Sequence, residues 1–443
     1  MLKYKEIVAN LEKLKPTEVW KWNKDIGLDK FKEFMSLLGN PQDQLKFVHL
    51  AGTSGKGSTA SFLASILKES GYKTGLTLSP HVFSIKERLQ INGKIITKSK
   101  FKKIFLQLEP KFWEIAKNYG KTPSFYEILL AMAFVYFQQE KCEIVVIETG
   151  LGGKLDATNI IGSQWQIITN VGLDHTRILG STKELILKDK QEIIKNNSEI
   201  ISGIKENYLK KIISKKAIET NSKILFLNED FGYKIVNSSV FDFQFKNKSL
   251  KNIEINLKGI FQFDNASLAI ATSFLMIKKF SKINDKTIKD GIKNAYIPAR
   301  FQIISQNPIE IWDGAHNPDK TRALIKSIKY YFPNQKFIIV FRYKKRKDIL
   351  IMIKSLTSIS EKIIITGSKG VGDTGFDQIF TQKDIKKIPK EFNIESEEKL
   401  EKAYLMAKKY CQNNKTGILV TGSLYMMKEL SVYNSHYDHS RFH

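Results

Sequence analysis

Cysteine is almost absent from this sequence, since only Cys142 and Cys411 occur, far apart and without cysteine neighbours. This scarcity excludes a disulfide-stapled scaffold and any cysteine-based metal site of known spacing. Two isolated thiols suit a reducing compartment, so we expect a cytoplasmic location.

Long hydrophobic runs are also lacking, because no stretch approaches the roughly 18 uninterrupted apolar residues that a membrane span requires. The first residues, MLKYKEIVANLEKLKP, have a helical pattern and lack the apolar core and cleavage site of a signal peptide. We therefore expect no export and no membrane partner. With 443 residues, of which 42% are hydrophobic, the chain is long enough for two or three globular domains.

Acidic residues are few, 45 against 71 lysines and arginines, so the formal net charge is +26. Such an excess suits a nucleic acid, a membrane surface or an anionic small substrate. The lysines are spread along the whole chain, and no basic groove with interleaved aromatic residues is evident. We therefore expect no nucleic-acid partner and keep a nucleic-acid-binding P-loop ATPase only as an alternative.

Apolar β-rich runs alternate with helical patterns from residue 45 to about residue 228, and again from about residue 298 onward. This alternation predicts mainly parallel sheets with helices on both faces. Between the two series, residues 231–259 predict short antiparallel strands, and residues 263–280 predict a helix. The pattern indicates two α/β domains that divide at about residue 297.

A glycine-rich segment, HLAGTSGKGST, joins an apolar strand to a helix that we predict to start near Ser58. Backbone N–H groups of such a loop, with the helix N-terminus, can hold phosphate oxygens. Lys56 can reach the β- and γ-phosphates, and Ser58 or Thr59 can approach a magnesium ion. Although the order A-G-T-x-G-K-G-S departs from the strict P-loop pattern, it favours a nucleotide site over an ordinary turn.

Two later strands end in groups that can bind a cation. The strand EIVVIET places Glu148 at its carboxyl end, and the strand WQIITN is followed by Asp174 and His175. Parallel sheets hold ligands at this edge, so Glu148 is a magnesium candidate, whereas His175 is open to a metal or a structural role. The segment GLGGKLDATN, with Lys154 and Asp156, predicts a loop that passes close to a ligand.

Seven segments together resemble, in order and spacing, the folylpolyglutamate synthase/dihydrofolate synthase family of the Mur ligase superfamily. They are AGTSGKGST, LSPHVFSIKERLQINGK, VIETGLGGKLDATN, NVGLDHTRILG, IPARFQII, IWDGAHNP and VTGSLY. The resemblance covers about residues 20–430. It implies an α/β fold with a P-loop-containing parallel-sheet ATPase domain, residues 1–297, followed by a smaller Rossmann-like α/β domain, residues 298–443. ATP and Mg²⁺ are the implied cofactors, with ATP held between the domains.

The resemblance also assigns roles to individual positions. The implied nucleotide-binding residues are Gly52, Thr53, Gly55, Lys56, Gly57, Ser58, Thr59, Asn265, Arg300, Asp313 and His316. The implied magnesium ligands are Ser79, Glu148 and His175, and the implied acceptor-binding residues are Gly27, Leu28 and Asp156. Lys56, Lys190 and His175 are implied to be catalytic.

Lys190 stands where the family has a carbamylated lysine, but its surroundings depart from the family pattern at Asp189, Gln191 and Glu192. The alternative interpretation is an exposed helix lysine. Further departures are Ser54 for Asn, Lys154 for Arg, Phe261 for His and Ala299 for Gly. We expect Lys154 to matter most, because lysine does not reproduce the bidentate contacts of arginine.

The resemblance implies a ligase of folate biosynthesis that joins L-glutamate to dihydropteroate, to the γ-carboxylate of folyl(poly)glutamates, or to both. Transfer of the ATP γ-phosphoryl group would activate the carboxylate as an acyl phosphate, with Mg²⁺ and Lys56 neutralising charge. The expected partners are small-molecule substrates, and a monomer is expected. The alternative enzyme is a Mur ligase that adds an amino acid to a UDP-linked peptidoglycan precursor.

Overall fold

A computed structural model describes residues 3–14, 27–342, 349–367, 392–414 and 416–434, with short pieces at 371–372, 375–376 and 388. The described residues form two compact units. The larger unit contains residues 3–14, 27–256 and 262–296, and the smaller contains residues 257–261 and those from 297 onward. Within the described ranges, no helix is long and apolar enough to cross a membrane.

The larger unit is built on an eight-stranded sheet. Its strands are β1 Phe47–Ala51, β2 Thr74–Thr77, β3 Gln90–Ile91, β4 Lys94–Ile95, β5 Ile144–Glu148, β6 Trp165–Ile168, β7 Glu199–Ser202 and β8 Lys223–Phe226. The order is β4-β3-β2-β5-β1-β6-β7-β8, and the six strands from β2 to β8 in that order are parallel. Strands β1, β2, β5 and β6 are buried along their whole length, as expected for a parallel sheet covered on both faces.

Helices surround this sheet. They are α1 Tyr4–Lys13, α2 Asp29–Leu37, α3 Lys56–Glu69, α4 Lys98–Tyr119, α5 Phe125–Gln139, α6 Thr176–Leu179, α7 Lys183–Lys190, α8 Asn207–Glu219, α9 Phe261–Met276 and α10 Asp285–Asn294. One hydrophobic core lies among α1, α2, α4 and α5, and a second lies among α7 and α8. Short 3₁₀ turns occur at Pro41–Gln44, Ile85–Arg88, Ala157–Ile160 and Gln191–Ile193.

The predicted antiparallel segment is confirmed as a three-stranded sheet of β9 Phe231–Asn237, β10 Val240–Phe245 and β11 Lys248–Glu254. Its aromatic side chains stack on α9, with Phe243 against Phe274 and Tyr233 against Phe263. The predicted helix 263–280 is shorter at its end, because the carbonyl of Met276 accepts turn-forming hydrogen bonds from the N–H groups of residues 279 and 280.

The smaller unit holds a six-stranded sheet in the order β12-β13-β19-β14-β15-β18. Its strands are β12 Gln302–Gln306, β13 Ile309–Asp313, β14 Phe337–Arg342, β15 Ser360–Thr366, β18 Ile394–Glu397 and β19 Gly417–Thr421. A separate pair is formed by β16 Val371–Gly372 and β17 Gly375–Phe376, and the helices are α11 Pro318–Tyr331, α12 Ile349–Leu356, α13 Leu400–Asn414 and α14 Tyr425–Ser431. Strand β12 is antiparallel at one edge, and the other five are parallel. The predicted α/β class is therefore confirmed in both units.

Candidate active site

The glycine-rich loop turns directly from β1 into α3. Gly55 has φ +84°, a conformation that L side chains rarely adopt, and a Cβ there would lie 2.3 Å from Oδ1 of Asn265. Because Gly55 precedes the first helical residue, α3 begins at Lys56 rather than near Ser58 as predicted. The loop thus presents a helix N-terminus, suited to an anion, with Asn265 of α9 in contact with it.

Hydrogen bonds hold this loop against the segment that follows β6. The N–H groups of Thr53 and Ser54 donate to the main-chain and side-chain oxygens of Asn170, at 3.1 and 2.9 Å. The hydroxyl of Thr169 donates to the Ser54 carbonyl at 2.6 Å, and the N–H of Gly172 donates to the Thr53 hydroxyl at 3.0 Å. Sequence reasoning missed Thr169 and Asn170, although a polar pair at the carboxyl end of a buried strand was a visible signal.

Lys56, Glu148 and Ser79 come together beside this loop. Nζ of Lys56 donates to the Gly52 carbonyl at 3.0 Å and lies 3.7 Å from Oε1 of Glu148. Oε2 of the same carboxylate accepts the N–H of Ser79 at 3.1 Å. A cation and a carboxylate are therefore paired beside the glycine-rich loop.

His175 follows β6 in the left-handed region, with φ +50°, at the start of α6. Its N–H donates to Oδ1 of Asp174 at 2.9 Å, and its Nε2 lies 3.9 Å from the same oxygen. Within the described ranges, no group of three or more His, Cys, Asp or Glu side chains is arranged to hold a metal ion. Glu148 supplies a carboxylate of the kind that Mg²⁺ takes, and Ser79 lies against it, whereas the part of His175 as a ligand stays a prediction.

Lys190 is buried at the end of α7, with 4% of its surface exposed, so its interpretation as an exposed helix lysine is wrong. Burial, together with repulsion from Lys56, lowers the pKa of Lys190 to about 7, against the attraction of Asp189, Asp174 and Asp156. The glycine-rich segment after β5 packs on this helix end, since a Cβ on Gly153 would lie 2.7 Å from the Lys190 carbonyl oxygen. With this pKa about half of the amine is uncharged at pH 7, and the uncharged form is a reactive nucleophile.

Asp156 is buried within the same glycine-rich segment. Its Oδ2 accepts the N–H of Leu151 at 2.8 Å, and its Oδ1 accepts the N–H and the hydroxyl of Thr158 at 3.0 and 2.5 Å. The hydroxyl of Tyr126 donates to Oδ1 at 3.4 Å. Burial raises the pKa of Asp156, and the hydrogen bonds from Thr158 and Leu151 oppose that rise. The carboxylate thereby organises the loop, and its contact with a substrate stays a prediction.

Gly27 and Leu28 form the turn that leads into α2. Lys30, two residues further, pairs with Glu127 in the first turn of α5 at 2.9 Å. Tyr126, the neighbour of Glu127, reaches Asp156. The ion pair thus ties the turn at Gly27 and Leu28 to the helix that contacts Asp156.

In the smaller unit, Arg300, Asp313 and His316 form a local group at the carboxyl end of β13. The Asp313 carboxylate is buried and accepts the N–H groups of Phe301 and Ala315, each at 2.8 Å. Burial raises the pKa of Asp313, while those hydrogen bonds and Arg300 lower it. Nδ1 of His316 contacts the Gly314 carbonyl at 2.9 Å and must be the donor, so its Nε2 can accept from Nζ of Lys320 at 3.0 Å.

Comparison with known proteins places both halves of the chain in one superfamily. Residues 50–273 match the Mur ligase middle domain, and residues 299–424 match the Mur ligase glutamate ligase domain. The dihydrofolate synthase/folylpolyglutamate synthase of Bacillus subtilis (strain 168) is 32% identical over 346 residues, which are 76% of this chain and 80% of that protein. The protein of the same name from Escherichia coli (strain K12) is 30% identical over 335 residues, 76% of each.

Solved structures agree with this placement. The crystal structure of folylpolyglutamate synthase from Thermotoga maritima matches with a TM-score of 0.81 and 29% identity, covering 98% of this chain and 96% of that chain. An FPGS–AMPPCP–folate complex matches with a TM-score of 0.81 and 25% identity, covering 97% of this chain and 98% of that chain.

Proposed function

This chain belongs to the folylpolyglutamate synthase/dihydrofolate synthase family of Mur ligases, and from that premise we propose that it ligates L-glutamate to pterin-linked carboxylates. It is an ATP-dependent ligase of folate metabolism, and the proposed acceptors are dihydropteroate, the γ-carboxylate of folyl(poly)glutamates, or both. The observation that carries the proposal is the pairing of Lys56 with Glu148 at the phosphate loop, 3.7 Å apart.

The chemistry requires activation of a carboxylate, which is a poor acyl donor at neutral pH. The γ-phosphoryl group of ATP is transferred to the acceptor carboxylate, giving an acyl phosphate and ADP. The uncharged amine of L-glutamate then attacks the acyl carbon, the C–O bond to phosphate breaks, and the proton lost from nitrogen leaves with the phosphate as the amide forms. Residues 52–59 hold the phosphates, and Lys56 neutralises charge on the group in transfer.

Glu148, Ser79 and His175 would hold Mg²⁺, which supplies further neutralisation of phosphate charge when bound. Asn265, Arg300, Asp313 and His316 contact the nucleotide in this proposal. Although both oxygens of Asp313 accept backbone N–H groups, each retains a lone pair for a ribose hydroxyl. Gly27, Leu28 and Asp156 bind the pterin acceptor.

Lys190 is proposed to react with CO2 through its uncharged amine, forming a carbamate and releasing a proton. The product is an anionic, carboxylate-like group in place of a buried cation beside Lys56. Burial and a pKa of about 7 support this step, because they supply the nucleophilic form of the amine near neutral pH. We further propose that the protein works as a monomer in the cytoplasm, where its two free thiols stay reduced.

Phosphate release from the purified protein with Mg-ATP and L-glutamate tests the proposal. The acceptors to compare are 7,8-dihydropteroate, tetrahydrofolate and a UDP-linked peptidoglycan precursor. Release with both pterins indicates a bifunctional synthase, and release with tetrahydrofolate alone indicates polyglutamylation only. Release with the UDP-linked precursor alone would overturn the folate assignment.

A further inference from the structure

His49 is a buried polar residue in the middle of β1, between Val48 and Leu50, and no part of its surface is exposed. Its Nε2 lies 2.8 Å from Oγ1 of Thr158, which is in the glycine-rich segment after β5. Burial, with a smaller contribution from Lys195, lowers the pKa of His49 to about 3. The ring is therefore neutral at working pH and carries one N–H group.

The position of that N–H follows from the partners of Thr158. Its hydroxyl has a single proton, and the proton is donated to Oδ1 of Asp156 at 2.5 Å. The lone pairs of the Thr158 hydroxyl oxygen remain free to accept from His49. Nε2 of His49 therefore carries the ring proton and donates a hydrogen bond to Thr158. The N–H groups of Leu151 and Thr158 and the hydroxyl of Tyr126 also donate to Asp156. The chain of hydrogen bonds thus runs in one direction, from His49 through Thr158 to Asp156.

Stability alone does not account for a histidine at this place. Nδ1 of His49 is buried and has no hydrogen-bond partner among the described residues. The cost of burying an unpaired acceptor is at least as large as the gain from one neutral hydrogen bond. An apolar residue, like those on either side, would suit this strand better. The benefit of His49 must therefore lie in what its N–H orients.

We propose that His49 is a positioning residue for acceptor binding, which acts by orienting Thr158 and, through it, the Asp156 carboxylate. This inference rests on the proposed function, in which Asp156 binds the pterin. The loop that binds ATP phosphates begins at Gly52, three residues after His49 on the same chain segment. Strand β1 is therefore linked to both substrate sites. Its carboxyl end leads into the phosphate loop, and His49 in its middle contacts Thr158 beside the acceptor site.

Paired variants test the two side-chain links in this series of hydrogen bonds, which are the Thr158 hydroxyl and the His49 imidazole. Thr158→Val and His49→Phe remove one link each while keeping the shape similar. Both are expected to raise KM for the pterin acceptor by up to about tenfold, the size of one lost hydrogen bond. The binding of ATP, measured by calorimetry without acceptor, should stay unchanged. Thr158→Ser and His49→Gln keep a hydroxyl and an N–H donor, so they should restore acceptor KM to near the wild-type value.

A matched control is Thr220→Val, which removes another buried threonine hydroxyl, bonded to the Lys216 carbonyl at the end of α8. Like Thr158→Val it should lower the unfolding midpoint, because a buried hydroxyl is lost, but it should leave acceptor KM unchanged. Because His49 and Thr158 act in series, the double variant should bind acceptor no more weakly than Thr158→Val alone.

The outcomes separate this inference from the function on which it rests. Equal losses for ATP and acceptor, or additive losses in the double variant, would overturn the positioning role. An acceptor KM that stays at the wild-type value in Thr158→Val would also overturn it. If wild-type protein turned over neither pterin acceptor, the proposed function would fail first, and the positioning role would fail with it.

Discussion

The two units assemble their candidate site residues in opposite ways. In the larger unit, Lys56, Glu148 and Lys190 come from the start of α3 and the ends of β5 and α7, which are far apart in the chain. In the smaller unit, Arg300 and Asp313 belong to one short stretch that folds as a hairpin. Tertiary structure therefore brings the first group together, whereas the hydrogen-bond partners of Asp313 are its neighbours in sequence.

This difference is visible in the hydrogen bonds. The phosphate loop is held by Thr169 and Asn170, more than a hundred residues downstream, and Thr158 is bonded to His49 in β1. Asp313, in contrast, is held by the N–H groups of Phe301 and Ala315, both close to it in the chain. A substitution near the site of the larger unit should therefore affect segments far away in the sequence. A substitution near Asp313 should affect mainly the neighbouring segments of the smaller unit.

The largest expected effect concerns Lys56. Lys56→Met removes the cation beside Glu148 while keeping the length of the side chain, so kcat should fall by roughly 10²–10³ or more. The steady-state rate of phosphate release measures this. Lys211→Met, which removes an exposed lysine on α8, serves as the control and should retain wild-type kcat. A Lys56→Met enzyme with the wild-type rate would contradict the assigned role.

Lys190 should give the next largest effect, as a dependence of stability on pH. Its pKa is about 7 in the folded chain, against roughly 10.4 for an exposed lysine. Between these values the unfolded chain binds more protons, so the free energy of unfolding of unmodified protein rises with pH, by up to ~1.4 kcal/mol per pH unit. Below about pH 7 both states are protonated, and this contribution becomes constant.

Urea unfolding in CO2-free buffer measures the effect of Lys190. Wild-type protein should gain stability between about pH 7 and 9, and Lys190→Met should gain less over the same range. Equal slopes for the two proteins would show that the lysine is not buried as a neutral amine. If the carbamate forms, added bicarbonate should raise the free energy of unfolding of the wild-type protein and leave that of Lys190→Met unchanged.

Asp313 tests whether the site of the smaller unit is local. Asp313→Ala leaves the N–H groups of Phe301 and Ala315 without their acceptor, which should cost about 2–3 kcal/mol. Amide hydrogen exchange should become faster in β12, β13 and the start of α11, while the strands of the larger unit keep their protection. Uniform loss of protection across both units would show that the contacts of Asp313 are not local in their effect.

Asn170 tests the long-range fastening of the phosphate loop. Asn170→Ala removes the acceptor of the Ser54 N–H, so the loop loses one fixed point and KM for ATP should rise about three- to tenfold. Asn221→Ala removes an exposed amide that bonds Asn197 and should leave KM for ATP unchanged. An unchanged ATP affinity in Asn170→Ala would show that the loop holds its shape without this contact.

The smallest expected effect compares strained backbone in the two units. Lys141, exposed after α5, and Ala299, buried near Arg300, both have φ of +55°. Lys141→Gly should stabilise the protein by about 0.5–1 kcal/mol, because glycine adopts this conformation without strain. Ala299→Gly should gain less, since the loss of a buried methyl group costs about 0.8 kcal/mol. Thermal unfolding of both variants measures the difference.

Much of the fold and of the site could be predicted from local patterns. Buried β-rich runs that end at Glu148 or Ile168 mark strand ends, and ligands commonly bind at the carboxyl edge of a parallel sheet. The meeting of Lys56, Glu148 and Ser79 follows from this rule. The start of α3 was predicted two residues late. The left-handed backbone conformation of Gly55, which sets this start, is not specified by the residue type alone.

The rest depends on contacts between distant residues. A lysine beside Asp189, Gln191 and Glu192 has the local pattern of an exposed helix face, and its burial arises from the glycine-rich segment that packs on it. The hydrogen bonds of Asn170 to the phosphate loop and of His49 to Thr158 likewise join residues more than a hundred positions apart, so no local sequence pattern reveals them. Periodicity predicts which face of an element is buried, and it does not predict which residue lies against it.

The pairing of β1 has a consequence for synthesis on the ribosome. Its neighbours in the sheet are β5 and β6, with Phe47 opposite Val145 and Val48 opposite Trp165. At roughly 5–20 residues per second, the nascent chain would wait on the order of 5–25 s after β1 is made before both neighbours exist. During that interval an apolar strand is exposed without partners, so slow folding and chaperone dependence should be features of this half of the molecule.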